Sequence, residues 1–475
     1  MSEDYYRIRK EKLCKWREAG ISPYGERFLP LNSLQEIKNN FSRWEGKEVK
    51  VAGRIMSIRK HGKSAFMDIQ QESEKLQIYL RKDIVGEDKF LRLEWLDLGD
   101  VIGVKGEVFK TKTGEITVLV KTFTILSKCL HPLPQKWYGL KDVEKRYRQR
   151  YLDFLVNPSV RNIFLSRSKI ISLLRKYLEE KGFIEVETPM MHPLPGGALA
   201  EPFVTHHNAL DIDLYLRIAP ELYLKRLVVG GWEKIYEINR SFRNEGVSPR
   251  HNPEFTMLEL YWAYADYQDL MKFTEEILSK IILDLFEGYT ITYQEKTLDC
   301  TPPWKRLSFT DAFEKILNLD WRNEEEVRKK AEEWGIGGNT YSRNLDAIFK
   351  KKILPHIIQP TFIYDYPLVL SPLAKRKEDE LTERFQPVIC GLELGNAYSE
   401  LNDPLEQRER FIHQRKEKES GARETHPMDE DFILSLEYGM PPVAGLGIGI
   451  DRLVMLVTNS PTIREVILFP LLRPE

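Results

Sequence analysis

The stretch Phe242–Tyr261 carries the side chains with the clearest capacity for chemistry. Arg243 and Glu245 alternate at its start, so they share one face if the backbone is extended there. A turn rich in glycine and proline follows, and it presents Arg250 and His251. Cations and an acid on one sheet face could hold a triphosphate, although a salt-bridged amphipathic hairpin accounts for the local pattern equally well.

The return strand of this hairpin repeats the alternation. Phe255, Met257, Glu259 and Tyr261 are spaced by two residues, so a strand places all four on one face. An aromatic ring at the start of that face could stack on a purine, and a carboxylate further along could bind a cation. A strand with this spacing could therefore belong to a nucleotide-binding face, with the salt-bridged hairpin as an equal alternative.

A second constellation has the same spacing, with Asn396, Tyr398 and Glu400 at alternate positions. Glu400 and Glu259 could together form an acidic floor for a cationic substrate. Two buried carboxylates are costly unless a cation lies between them, so the pair indicates a lysine-like ammonium or Mg²⁺. Glu393 has the opposite parity and joins this site only if the intervening glycine breaks the strand.

The amino-acid composition indicates a folded protein and excludes a globally basic one. The chain has 475 residues, 42% of them hydrophobic and 30% charged, which is the balance of a folded protein of several domains. Its 71 basic and 72 acidic residues give a net charge of −1, so a globally basic nucleic-acid binder is excluded. The charged start, the lack of a long apolar stretch and four widely spaced cysteines predict a cytoplasmic protein with no membrane contact.

The elements that must position these residues fall into two regions. In the first, three strand-like runs, one helical run and two more strand-like runs give the order of a five-stranded Greek-key barrel, the OB-fold, although another small barrel remains possible. Residues 105–150 carry eleven basic residues against four acidic ones, which favours RNA contact there. The runs are 49–58, 64–70, 76–80, 89–98, 101–110 and 116–126.

In the second region, strands follow one another without crossover helices. Residues 214–219, 234–239 and 255–261 have strand patterns, a largely helical segment covers about 266–360, and a glycine-rich strand-to-helix passage lies at 443–457. This order favours an antiparallel sheet with helices packed on it, and hence an α+β fold.

Three segments together resemble the class II aminoacyl-tRNA synthetases, and within them the lysyl-tRNA synthetases of the aspartyl/asparaginyl/lysyl subgroup. The passage ending at Glu185–Pro189 is similar to motif 1, the hairpin Phe242–Glu259 to motif 2, and Gly445–Arg452 to motif 3. The resemblance implies an N-terminal region with an OB-fold anticodon-binding domain at 1–135 and a class II catalytic domain at 136–475. It also implies a homodimer that forms through motif 1.

The resemblance further implies a reaction and its residues. ATP activates L-lysine to lysyl-adenylate with release of pyrophosphate, and lysine then passes to the 3′ end of tRNA(Lys). Arg243 and Arg452 correspond to the catalytic cations. The family's ATP contacts match Arg243, Glu245, Arg250, His251, Phe255 and Arg452. Its lysine contacts match Gly197, Glu221, Glu259, Tyr261, Asn396, Tyr398 and Glu400.

Metal binding is the point at which the sequence departs from the family pattern. Glu393 matches a family ligand of Mg²⁺, but Gln386 stands where bacterial members usually have a second glutamate. An amide oxygen binds Mg²⁺ more weakly than a carboxylate does. Glu400 is a further candidate ligand.

In the barrel, four residues match family positions that contact the anticodon: Arg54, Phe66, Gln77 and, more loosely, Glu115. Phe66 could equally be a core residue, since aromatic residues in strands usually are.

Two other functions compete with tRNA charging. A ligase of the same catalytic fold could attach lysine to a protein, but its known forms resemble the catalytic domain alone. A non-catalytic RNA-binding protein is the third possibility, and the joint presence of Arg243, Glu245, Glu259, Glu400 and Arg452 argues against a decayed site.

Overall fold

The computed structural model describes residues 2–25, 27–134, 140, 142–198, 200–378, 380–419 and 427–474. The chain divides into two units, Met1–Val160 and Arg161–Glu475. The predicted domain boundary between residues 135 and 136 lies outside the described residues.

The first unit is built on a closed barrel of five strands in the order β1-β2-β3-β5-β4. All neighbours are antiparallel except β3 and β5, which are parallel. This topology confirms the predicted OB-fold. The strands are β1 (Glu48–His61), β2 (Ser64–Gln71), β3 (Glu74–Arg81), β4 (Val101–Lys110) and β5 (Ile116–Ser127).

Helices precede, interrupt and follow the barrel strands in the sequence. The run predicted as one helix at 89–98 is instead a short helix followed by a 3₁₀ turn at Arg92–Trp95. The helices of this unit are α1 (Ser2–Glu18), α2 (Leu34–Asn39), α3 (Phe41–Trp44), α4 (Lys82–Val85), α5 (Glu87–Leu91), α6 (Val143–Arg148) and α7 (Arg150–Val156).

Alternation along the strands decides which side chains form the barrel core. Ala65, Met67 and Ile69 of β2 are fully buried, whereas Phe66 between them lies on the outer face and is half-buried. Its ring stacks on that of Tyr79, with centroids 4.3 Å apart. Phe66 is therefore a surface aromatic residue and not a core residue.

The second unit is built on a mixed sheet, whose order is β14-β15-β16-β18-β19-β11-β10-β6, with β17 paired to β16. Two small sheets, β12-β13 and β7-β9-β8, accompany it. Its strands are β6 (Ile184–Glu185), β7 (Met191–His192), β8 (Val204–His207), β9 (Ile212–Leu216), β10 (Lys234–Phe242), β11 (Glu254–Ala263), β12 (Thr290–Tyr293), β13 (Lys296–Asp299), β14 (Lys305–Ser308), β15 (Thr361–Pro367), β16 (Leu381–Ile389), β17 (Leu392–Glu393), β18 (Gly395–Ser399) and β19 (Val443–Gly449).

Helices pack on this sheet and complete the predicted α+β fold. The segment 266–360 is less uniformly helical than its sequence suggests, because it also contains the hairpin β12-β13 and the edge strand β14. A π-helical turn, Phe349–Ile353, directly follows the last α-helix of this segment. The helices are α8 (Pro158–Glu180), α9 (Glu221–Val229), α10 (Tyr267–Phe286), α11 (Phe309–Leu317), α12 (Glu324–Glu333), α13 (Tyr341–Ile348), α14 (Pro404–Glu419), α15 (Glu430–Glu437), α16 (Ile450–Val457) and α17 (Ile463–Val466).

The middle of the sheet is antiparallel, as predicted, and the two edge pairs β14-β15 and β6-β10 are parallel. On central strand β11, Leu258 and Leu260 are fully buried in the hydrophobic core. Alternation then turns Met257, Glu259 and Tyr261 to the opposite face. The core therefore fixes the face on which the polar residues meet.

Gly106 offers a test of the barrel packing. The strand register shifts between Lys105 and Gly106, and a β-carbon at Gly106 would overlap the Leu119 carbonyl oxygen of β5. We expect Gly106→Ala to destabilise the barrel by about 1–3 kcal/mol in urea unfolding, as overpacking does. Gly288→Ala is the matched control, since no atom lies within 4 Å of a β-carbon there. Equal stability of the two variants would contradict the packing argument.

Candidate active site

A cavity of about 690 Å³ lies on the polar face of the central strands. Every residue that the sequence predicts for ATP, lysine or metal binding lines it: Gly197, Glu221, Arg243, Glu245, Arg250, His251, Phe255, Glu259, Tyr261, Gln386, Glu393, Asn396, Tyr398, Glu400 and Arg452. The structure thus brings together residues that are up to 255 positions apart, from Gly197 to Arg452.

The start of the predicted hairpin differs from its sequence interpretation. β10 ends at Phe242 and β11 begins at Glu254, so the strand alternation inferred for Arg243 and Glu245 is wrong. Arg243 is instead fixed by its loop: its backbone N–H donates to the Pro253 carbonyl at 2.8 Å. Its guanidinium lies 5.1 Å from the centre of the Phe255 ring, a cation–π contact that aligns both side chains at the cavity wall.

His251 and Arg452 join motif 2 to motif 3. The Ser248 hydroxyl lies 2.8 Å from His251 Nδ1, and Arg452 Nη2 lies 3.3 Å from His251 Nε2. Arg452 also donates through Nη1 to the Glu393 carbonyl oxygen at 2.8 Å. Nearby, Arg250 donates to the Gly391 carbonyl oxygen at 3.2 Å. These contacts hold several cations at one end of the cavity.

The pKa of His251 reflects the positive charge at this end of the cavity. Burial and, after it, the neighbouring cations Arg452, Lys350, Arg243 and Arg250 together lower the pKa of His251 to about 4. The imidazole is therefore neutral at pH 7 and can accept or donate one hydrogen bond. A surplus of positive charge around a neutral histidine favours a polyanion such as a triphosphate.

Lys350 is a member of this cationic end that sequence reasoning missed. It lies in the π-helical turn after α13 and pairs with Asp346 at 2.9 Å. No motif in the segment marks it, because the position depends on how the segment folds back to the cavity. The segment after this turn is held to Gly391, whose backbone N–H donates a hydrogen bond of 2.8 Å to the Ile357 carbonyl oxygen.

The other end of the cavity is an acidic pocket, which contains Glu221, Glu259 and Glu400. Each of these carboxylates is at most 7% exposed. The Tyr398 hydroxyl donates to Glu221, with its oxygen 2.8 and 2.9 Å from the two carboxylate oxygens. Lys225, which the sequence analysis did not identify, lies 2.6 Å from Glu221 Oε1 and forms an ion pair with Glu400.

Glu259 stands apart within this pocket. The Tyr261 hydroxyl donates to it at 3.4 Å, and no basic side chain of the described residues lies within ion-pair distance. Burial, together with the neighbouring charge of Glu221, raises the pKa of Glu259 to about 8. Burial also raises the pKa of Glu400, against the opposing effect of Lys225. The pocket is therefore ready to bind a further cation.

The glycines of β19 make room for these carboxylates. A β-carbon at Gly445 would overlap Glu400 Oε1 and come within 2.8 Å of the Tyr261 ring. At Gly447 it would come within 3.0 Å of Met257. The alternate glycines of motif 3 are thus explained by close packing beneath the acidic pocket, and their spacing needs no phosphate-binding role.

Between the two ends lies Asn396, predicted to contact the amino-acid carboxylate. Arg384 donates through Nε to Asn396 Oδ1 at 2.8 Å, and its guanidinium also lies 4.5 Å from the centre of the Tyr366 ring. With its oxygen occupied, the Asn396 amide is oriented to use its N–H groups as donors, which is what a carboxylate requires. Arg384 is a second cavity residue that the sequence analysis missed.

Comparisons with known proteins agree with this geometry. The family model of class II tRNA synthetases for aspartate, lysine and asparagine (D, K and N) matches residues 142–473, and the model of the OB-fold nucleic acid binding domain matches residues 49–126. The chain belongs to the class II tRNA synthetases.

Several curated relatives are similar to the synthetase over its whole length. The lysine--tRNA ligase of Carboxydothermus hydrogenoformans is 54% identical, with 99% of this chain and 98% of the relative covered. That of Pelotomaculum thermopropionicum is also 54% identical, over 99% and 95%. That of Moorella thermoacetica is 52% identical, over 99% and 98%.

The metal candidates of the synthetase are not equivalent. Glu393 lines the cavity, and β17 and β18 are separate strands. The break is at Leu394 and not at the predicted Gly395, which is the first residue of β18. The Gln386 amide oxygen accepts a hydrogen bond from the Tyr366 hydroxyl at 2.6 Å. Glu400 is paired with Lys225. Glu393 is the remaining carboxylate, with its Oε2 4.0 Å from Arg452 Nη1. One carboxylate fits a Mg²⁺ ion that keeps most of its ligands from phosphates and water.

In the barrel of the synthetase, the four predicted anticodon residues have different surroundings. Phe66 stacks on Tyr79, which in turn lies 6.3 Å from Phe109, so three half-buried rings form an outer aromatic surface. Gln77 Oε1 accepts from the Thr117 hydroxyl at 3.0 Å. Arg54 donates to the Gly99 carbonyl oxygen at 2.6 Å, and Glu115 is exposed in the β4–β5 turn.

No helix in the described part of the synthetase has the length and apolar character needed to cross a membrane.

The raised pKa of Glu259 predicts a pH-dependent stability effect. Because the folded protein holds a proton there up to about pH 8, while an unfolded glutamate loses it near 4.5, stability falls as pH rises through that window. Glutamine cannot ionise, so without lysine Glu259→Gln should raise Tm at pH 8.5 by at least about 2 °C more than at pH 4.5.

Differential scanning calorimetry at the two pH values measures this effect. Glu325→Gln is the matched control, since Glu325 is exposed on helix α12. An equal gain at both pH values would show that the substitution acts through packing and not through charge.

Proposed function

We propose that the chain is a lysine--tRNA ligase. It activates L-lysine with ATP to lysyl-adenylate, releases pyrophosphate and transfers lysine to the 3′ end of tRNA(Lys). The observation that carries this proposal is the polarity of one cavity, with arginines and Phe255 at one end and three buried carboxylates at the other. The full-length similarity to lysine--tRNA ligases supports it.

The chemistry of activation suits these residues. The lysine carboxylate attacks the α-phosphorus of ATP directly, and pyrophosphate leaves, so no protein nucleophile is required. The protein's task is to align the reactants and to neutralise charge on the phosphate oxygens. Arg243 and Arg452 supply that charge, and Arg250 and His251 bind the rest of the triphosphate. Phe255 stacks on adenine and Glu245 accepts from its amino group.

Amino-acid selection follows from the acidic pocket. Glu259, Glu400 and the Tyr261 hydroxyl can each accept one hydrogen bond from a primary ammonium, which has three protons to donate. Gly197 and Glu221 bind the α-ammonium, Tyr398 orients Glu221, and Asn396 donates to the carboxylate. Aspartate would place a further negative group among the three buried carboxylates, and it is therefore rejected.

Mg²⁺ is the cofactor of this proposal. Glu393 is the residue that would hold it, and Gln386 contributes through the second lone pair of its oxygen or through water. The ion would neutralise charge on the phosphates of ATP. Glu400 is better explained as part of the lysine pocket, since its carboxylate is paired with Lys225.

The barrel is the proposed site of tRNA recognition. Its outer ring surface, Phe66 with Tyr79, offers a platform on which an unpaired base can stack. Arg54, Gln77 and Glu115 lie on the same barrel and supply polar groups for base edges. A ligase that modifies a protein has no need of such a surface, and the relatives described above are named lysine--tRNA ligases.

The proposal includes a homodimer that forms through the motif 1 region. The chain from that region onward exposes six large apolar side chains, which a partner subunit could cover. They are Ile184, Met191, Leu194, Val204, Leu210 and Ile212.

The four cysteines are free thiols, which fits a reducing cytoplasm.

ATP–pyrophosphate exchange with each amino acid, followed by charging of total tRNA, tests the function. We expect exchange with lysine and charging of tRNA(Lys). Exchange with aspartate in place of lysine would refute the pocket argument. Lysine exchange without tRNA charging would favour a ligase that modifies proteins.

Two substitutions should separate the two steps. Arg243→Ala should lower exchange about 10²–10³-fold, because it removes charge stabilisation at the α-phosphate. Phe66→Ala should leave exchange unchanged and raise KM for tRNA(Lys) about 10-fold, because base stacking is worth about 1–3 kcal/mol.

Phe66→Tyr keeps the ring and serves as the control for the second substitution. If Phe66→Ala lowered exchange as much as Arg243→Ala does, the assignment of activation to one unit and recognition to the other would be wrong.

A further inference from the structure

Lys225 is a fully buried ammonium beneath the acidic pocket. It lies one helical turn after Glu221 on α9, 2.6 Å from Glu221 Oε1, and it also forms an ion pair with Glu400. The rings of Tyr398 and Phe432 flank it, with centres 5.7 and 6.0 Å from its Nζ. Its contacts thus join the carboxylate proposed for the α-ammonium of lysine to one proposed for the ε-ammonium.

Lys225 differs in position from the arginines that line the cavity. Arg243, Arg250 and Arg452 are partly or fully exposed and belong to the nucleotide end. Lys225 has no exposed side-chain surface and does not line the cavity. It therefore acts on a ligand through the carboxylates it touches and not by direct contact.

Lys225 contributes one positive charge to the balance of the pocket. Glu221, Glu259 and Glu400 carry three negative charges when ionised, and Lys225 leaves a balance of two. A free lysine brings two ammonium groups to this end, while its carboxylate faces Arg243 and Asn396. With Lys225 present, the occupied pocket is neutral. Without it, one carboxylate would remain uncompensated in the interior, where an unpaired charge is costly.

Lys225 also orients the two carboxylates. It engages Glu221 Oε1 while the Tyr398 hydroxyl donates to the same group, so this side chain is held from two directions. It engages Glu400 through Oε2, which leaves Oε1 on the side of Gly445 at the cavity wall. The burial of Lys225 lowers its pKa, but the two carboxylates outweigh this effect and raise it, so the ammonium stays charged.

We propose that Lys225 is a positioning residue that sets the charge of the amino-acid pocket, so that the site accepts a substrate with two ammonium groups. This role rests on the proposed function, because it assumes lysine as the substrate. It predicts an effect on lysine affinity with little effect on ATP, although Lys225 touches neither.

The test is a charge-balance cycle measured by lysine-dependent ATP–pyrophosphate exchange. Lys225→Met leaves three carboxylates, Glu400→Gln leaves a balance of one negative charge, and the double variant restores a balance of two. We expect each single variant to raise KM for lysine at least 10-fold, with KM for ATP within 2-fold of wild type. The double variant should bind lysine more tightly than Glu400→Gln alone.

The sign of the last comparison separates charge from structure. If Lys225 merely supported the fold, adding Lys225→Met to Glu400→Gln would weaken lysine binding further. That result would overturn the proposal, as would a KM for lysine within 2-fold of wild type in Lys225→Met. Should Lys225→Met alone not fold, the double variant lacks the unpaired carboxylate, and its comparison with Glu400→Gln decides the question.

Lys128→Met is the matched control. Lys128 is equally buried and also pairs with two carboxylates, those of Asp97 and Asp100, but it lies in the barrel. Its loss should leave both KM values of exchange unchanged. A wild-type enzyme that exchanges with another amino acid and not with lysine would overturn the proposed function and, with it, the role of Lys225. A lysine-active wild type with unaltered Lys225 variants would overturn only the latter.

Discussion

The buried carboxylates of the acidic pocket impose the constraint on which the rest of the catalytic unit depends. Three acids within one water-poor site repel each other, and an apolar interior offers them no hydration. Each neighbouring element supplies a group that stabilises these acids or leaves space for them. Helix α9 supplies Lys225, strand β18 supplies the Tyr398 hydroxyl, and β19 supplies glycines that leave space. Among the described residues no cation pairs with Glu259, and the protein is less stable for it until a ligand binds.

The opposite end of the cavity has the opposite imbalance. Four cations act on His251 strongly enough, with burial, to keep its imidazole neutral. A single cavity therefore carries a gradient from positive to negative along its length. An aminoacyl-adenylate has the reverse gradient, with its phosphate at one end and the lysine ammonium at the other. Complementarity of this kind orients the substrate as well as binding it.

The sequence was most informative where alternation controls the geometry. Phe255, Glu259 and Tyr261 share a face because Leu258 and Leu260 fill the core behind them. Alternation did not apply to Arg243 and Glu245, because the strand ends at Phe242 and a loop positions both. Roles in catalysis came from the resemblance to a family and not from the pattern.

Other features had no local signal at all. Lys225 lies at an ordinary position on an amphipathic helix, and only the folded structure brings it under Glu400, which is 175 residues away. Lys350 lines the cavity from a π-helical turn, and the segment after that turn is hydrogen-bonded to Gly391. The parallel edge strand β14 was hidden in a segment whose composition is helical. Such features depend on long-range contacts, which a periodic pattern cannot contain.

Gln386, which stands where the family resemblance predicts a carboxylate, is linked to Asn396 by a series of contacts. Its amide oxygen accepts the Tyr366 hydroxyl, and Tyr366 packs against Arg384, which in turn holds Asn396. The residue that departs from the family's metal pattern is therefore part of a chain of contacts that ends at the proposed carboxylate donor. The near-zero net charge of the whole chain is thus the sum of local imbalances, and these imbalances carry the function.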